Sequence, residues 1–104
     1  MLQQARDSLD FLGGADAVEL QADRKTLAAV LNAVKTVGDA STGVSEAGRA
    51  EAAEVDWRGI KSMRNILVHE YGRVNTSILV ATVRDDIPVL IGQLERLLQA
   101  EDSE

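Results

Sequence analysis

Apolar residues recur at helical spacing along almost the whole chain, and no segment offers a strand a partner. Leu2, Ala5, Leu9 and Leu12 define a first helix, ended by Gly13-Gly14. Asp16 and Asp23 both suit the cap of the next helix. Leu27, Val30, Leu31, Val34 and Val37 trace an apolar stripe on this second helix, from residue 17 or 24 to 41. Ser41 to Gly48, rich in Ser, Thr and Gly, reads as a loop or a frayed helix end. Asp56 suits the N-cap of a third helix over Trp57 to Tyr71, with Gly72 as its stop. Asn75 would cap a fourth from Thr76. The β-branched stretch Ile78 to Val83 has strand propensity but no partner, so it reads as helix. Asp85 or Asp86, ahead of Pro88, restarts or kinks the helix, because proline is tolerated in a first turn. Ile87, Leu90, Ile91, Leu94, Leu97 and Leu98 stripe the last helix, and the polar tail from about Glu101 frays. The expectation is an all-α, antiparallel bundle of four to five helices, one domain over residues 1–104.

Composition fits that expectation. The aromatics are only Phe11, Trp57 and Tyr71, so the core is built from Leu, Val, Ile and Ala. There is no cysteine, which excludes disulfides and thiol chemistry and suits a reducing interior. No apolar run reaches the roughly 18 residues of a membrane span, and no basic-then-apolar leader opens the chain, so the expected compartment is the cytoplasm.

The net charge of −6 argues against a nucleic-acid partner until its distribution is read. Residues 1–56 carry five basic and ten acidic side chains, and residues 85–104 carry one and six. Residues 57–84 hold Arg58, Lys61, Arg64, Arg73 and Arg84 against Glu70 alone. This basic island is either ordinary variation between helices or an anion site inside an acidic protein that limits indiscriminate binding.

On a helical wheel at about 100° per residue, Arg58, Lys61, Ser62, Asn65 and His69 share one polar face. Trp57, Ile60, Met63, Leu67, Val68 and Tyr71 occupy the opposite arc. Arg64 falls within that apolar arc, about 140° from His69. A guanidinium there cannot shed its proton, so it must snorkel, meet an acid or line a groove for an anion. His69 is the only histidine; alone it reads as a surface residue, but Asn65 and two cations keep it company.

The run Arg64-Asn-Ile-Leu-Val-His69-Glu-Tyr71 resembles the Arg-Asn-x-x-x-His-x-Tyr motif of HEPN domains, specifically the HepT-like proteins. Asp56-Trp57-Arg58-Gly-Ile60 resembles the family's start of this helix, and Met63 precedes the motif arginine as it usually does there. Asp86-Ile-Pro88-Val-Leu90 resembles the start of its last helix. Gly38-Asp39-Ala40 is similar to the family's Gly-Glu-Ala, with Asp in place of Glu. The resemblance spans roughly residues 24–98, and the first helix fits more loosely. It implies a HEPN-like bundle that forms a homodimer and cleaves RNA without metal or other cofactor, the motif helices of two subunits meeting at one cleft. Arg64 and His69 would be catalytic, Asn65 supporting, and Tyr71 the residue to which a partner nucleotidyltransferase antitoxin of the MntA type adds AMP. Asp39 either reaches Arg64 from the second helix and orients it or is a solvated acid near a helix end. Tyr71 also has a plainer reading as a core or interface tyrosine.

The chemistry is coherent on its own terms. RNA cleavage through its 2′-hydroxyl needs a base, an acid and a cation for the developing charge, and a two-fold dimer supplies two histidines and two arginines. Arg58, Lys61 and Arg73 would hold the RNA backbone. One histidine and no cysteine make no typical zinc site. The competing reading is a HEPN-type module that holds nucleotide, RNA or its partner transferase without cutting. A plain structural bundle is the third.

Overall fold

The computed structural model describes the backbone of residues 1–69 and 76–102, and the side chains of these residues other than 63, 66–69 and 100–102. Every regular element among the described residues is helical, and none is a strand. Helix α1 spans Leu2–Leu12, α2 Ala17–Ala22, α3 Arg24–Thr42, α4 Glu46–Glu51, α5 Trp57–His69, α6 Thr76–Ala81 and α7 Ile87–Asp102. A single π-helical turn, Thr82–Asp86, joins the last two.

The boundaries follow local chemistry. Gly13 ends α1 with φ 55°, a left-handed conformation in which a Cβ would be strained. Asp16 caps α2 reciprocally: its carboxylate accepts the Glu19 N–H at 2.8 Å, while the Glu19 side chain accepts the Asp16 N–H. Asp23 caps α3 by accepting from both the backbone N–H and the hydroxyl of Thr26. Residues 17 to 41 suit either one helix or a later start by sequence; the chain uses two helices, broken at Asp23. The stretch Ser41 to Gly48, expected as loop or frayed end, is more ordered than that. Helix α3 runs to Thr42, and Ser45 caps the short α4 through the Gly48 N–H at 3.0 Å.

Helix α3 is the spine, packing against α1 on one side and α5 on another. Its apolar stripe feeds two cores. Val30 and Val34 join Leu12, Leu20, Leu79 and Val83. Val37 joins Ala5, Ala52, Val55, Ile87, Leu90 and Leu94, with Trp57 and Ile60 packed alongside. The β-branched stretch expected as helix is helical, with Leu79 and Val83 fully buried. The stripe of α7 is borne out at Ile87, Leu90 and Leu94, whereas Leu98 faces solvent. Pro88 restarts the helix through the wide turn: it has no N–H for the Arg84 carbonyl, and its ring would crowd that carbonyl in a regular α-turn. The turn closes instead through Ile87 N–H to the Thr82 carbonyl, five residues back. No helix among the described residues is long and apolar enough to cross a membrane.

Candidate functional site

The site begins with the orientation of α5. Asp56 caps it as expected, its Oδ1 accepting the Gly59 N–H at 2.9 Å. Trp57 donates from Nε1 to the Ala52 carbonyl at 3.1 Å, and the Arg49 guanidinium lies 6.0 Å from the centre of its ring. With Trp57 and Ile60 against the core, helical geometry turns the residue one turn beyond Ile60 towards α3. That residue is Arg64.

Gly38 makes room for it. A Cβ on residue 38 would fall 2.6 Å from the Arg64 Cγ and 3.6 Å from its Cα, so the two backbones approach where only glycine fits. Arg64 therefore emerges over α3 beside Asp39. Its Nε donates to Asp39 Oδ1 at 2.7 Å, and its Nη1 makes a long contact of 3.4 Å with Asn65 Oδ1. Of the three options for this arginine, the chain takes the acid, and Asp39 is its partner rather than a solvated bystander.

The ion pair is open to water: the Arg64 side chain is 31% exposed and that of Asp39 48%. Such a pair adds only about 0.2–1 kcal/mol to stability. Its stronger effect is positional. Asp39 engages Nε, the inner donor, and does not occupy the outer pair of nitrogens, the edge of a guanidinium that pairs with the oxygens of a phosphate.

Arg58, Lys61 and Ser62 are exposed on the same helix, and Asn65 is half-buried. His69 is the last residue of α5, four positions beyond Asn65. The His69 side chain lies outside the described residues, as do Tyr71 and Arg73. Among the described residues no three His, Cys, Asp or Glu side chains gather as a metal site would need.

Two contributors were not singled out by sequence. Gly38 entered only as part of a motif block, yet a glycine inside a 19-residue helix costs roughly 0.5–1 kcal/mol against alanine and is itself a sign of close approach. Arg49 had no sequence signal. Its Nη2 donates to the Ser41 carbonyl at 3.1 Å near the end of α3 while its guanidinium rests on Trp57, tying α4 to both helices of the site.

The family model described as "Ribonuclease HepT-like" matches residues 1–97. "Probable ribonuclease HepT" of Thermococcus cleftensis is 37% identical over 75 residues, covering 72% of this chain and 68% of the relative. "Putative RNase MJ1380" of Methanocaldococcus jannaschii is 27% identical over 95 residues, 91% of this chain and 87% of the relative. No solved structure matches the chain. A family match over nearly all of the sequence leads to one conclusion: the chain belongs to the HepT-like ribonuclease family.

Proposed function

We propose that this protein is a metal-independent endoribonuclease, the toxin of a HepT/MntA-type toxin–antitoxin pair, with its active site shared between two copies of the chain. The observation that carries the reading is Arg64, held at Nε by Asp39 and partly exposed to water. The spacing of the motif argues for sharing. Arg64 and His69 are five residues apart on one helix, which separates them by about 140° around the axis and about 7.5 Å along it. Arg64 turns towards α3, so the histidine that meets its phosphate is more easily supplied by a second copy.

In the proposed reaction His69 of one copy takes the proton from the ribose 2′-hydroxyl, whose oxygen attacks the adjacent phosphorus. His69 of the other copy gives a proton to the departing 5′-oxygen as the P–O bond breaks, leaving a 2′,3′-cyclic phosphate. Arg64 stabilises the charge on the non-bridging oxygens, and Asn65 holds its flank. Arg58, Lys61 and Arg73 bind the flanking backbone, and the acidic remainder restrains affinity for RNA in general. Tyr71, two residues past His69, is the acceptor for AMP from the nucleotidyltransferase antitoxin, which silences the toxin.

The test is incubation of purified, unmodified protein with total RNA in EDTA, beside His69→Ala. Cleavage by the wild type alone, with 2′,3′-cyclic phosphate ends, is expected. Intact RNA in both lanes, from protein confirmed as dimeric, would overturn the nuclease reading in favour of a binding module.

A further inference from the structure

The start of α5 borders a second feature, a cleft of about 280 Å³ between the first turn of α5 and the first two turns of α7. Val55, Ile60, Ile87 and Leu90 make its floor, and Val89 stands at its lip, 60% exposed. Gly59 lies in the α5 wall beside the Asp56 carboxylate, which accepts its N–H. The rim is acidic, with Glu54, Asp56 and Asp86 lining the cleft and no basic residue among its lining. Arg96 pairs with Glu54 at 3.5 Å from outside, but both side chains are more than half exposed and the pair offsets little. The basic residue nearest in sequence to Asp86 is Arg84, which points elsewhere and donates to the Ala15 carbonyl.

This combination selects its occupant. RNA is repelled by three carboxylates, and a purely apolar surface would strip them of water without replacing it. A lysine or arginine satisfies both parts, its aliphatic stem lying on the floor and its charge reaching the rim, with an apolar neighbour covering Val89. We propose that this cleft, at the first turn of α5 ahead of Arg64, docks a basic, amphipathic segment of a partner protein. It stands whether or not the chain cuts RNA.

The probe is a fluorescein-labelled twelve-residue amphipathic peptide of Leu and Arg, with a Leu and Glu peptide of the same pattern as control, followed by anisotropy and by amide NMR. Binding of the Arg peptide alone is expected, with shifts centred on Gly59, Ile60, Val89 and Gln93. Asp86→Lys and Val89→Lys, both at exposed positions, should each weaken it by about tenfold while leaving the circular dichroism spectrum unchanged. Equal binding by the variants, equal binding of the Glu peptide, displacement by an RNA oligonucleotide, or shifts mapping to another face would overturn the proposal. So would shifts at Val89 that grow with protein concentration without peptide, because a second copy would then be the occupant.

Discussion

Gly38 on α3 lies under Arg64 on α5 so closely that a methyl group at position 38 would sit 2.6 Å from the Arg64 Cγ. The atoms it would meet are the root of the arginine side chain, not its mobile end, so they cannot step aside without moving α5. Gly38→Ala gains about 0.5–1 kcal/mol of helix propensity and loses roughly 1–3 kcal/mol to overpacking. The expected outcome is net destabilisation in urea unfolding together with reduced RNA cleavage. A more stable variant would show that the two helices separate freely.

Asp39→Asn separates orientation from stability. Because the pair with Arg64 is half open to water, unfolding free energy should change by less than about 1 kcal/mol. Cleavage should nevertheless fall by about tenfold, the equivalent of roughly 1.4 kcal/mol in the barrier, because the guanidinium loses its fixed aim. Asp39→Glu, which keeps the charge, should recover part of the rate. Loss of stability in proportion to activity would make the pair structural.

Stability itself should divide by burial. Leu79 is fully buried beside Val30 and Val34, and Leu79→Ala should cost about 2–5 kcal/mol in chemical unfolding. Phe11, although larger, is 47% exposed, and Phe11→Ala should fall nearer the roughly 0.5 kcal/mol of an ordinary surface change.

Asp23 introduces an acid-dependent step. The Thr26 hydroxyl and backbone N–H donate to its carboxylate and lower its pKa from the ordinary 3.8. A carboxyl more acidic in the folded chain stabilises it fully above the unfolded value and loses that contribution as pH falls through the lowered folded one. The melting temperature should therefore drop on acidification below about pH 4, and the drop should be shallower in Asp23→Asn. Identical profiles for the two proteins would remove Asp23 from the acid response.

Sequence disclosed whatever acts over a few residues. Asp16, Asp23 and Asp56 were legible as caps because each accepts from a backbone N–H three positions on. The stripe of Val30, Val34 and Val37 was legible because helical periodicity alone sets it. Helix α4 was obscured because Ser45 and Gly48, its cap and the donor to it, belong to a stretch whose composition also suits a loop. The Arg64–Asp39 bond spans 25 residues and is one of two alternatives by sequence; only the approach of α3 to α5 decides between them. Arg49 gave no sign because its partners are a carbonyl and the face of an indole, neither of which has a pattern in sequence.

The π turn at Thr82–Asp86 bears on how this chain can change in length. A turn of this kind holds one residue more than an α-turn while keeping the helices on either side in line. Loss of one residue there, such as Asp85, would close the turn to α-helical pitch and bring the Pro88 ring against the carbonyl four residues before it. The same loss inside α3 would turn everything beyond it by about 100° and carry Gly38 out from under Arg64. Neither the turn before Pro88 nor the helix that carries Asp39 has a residue to spare.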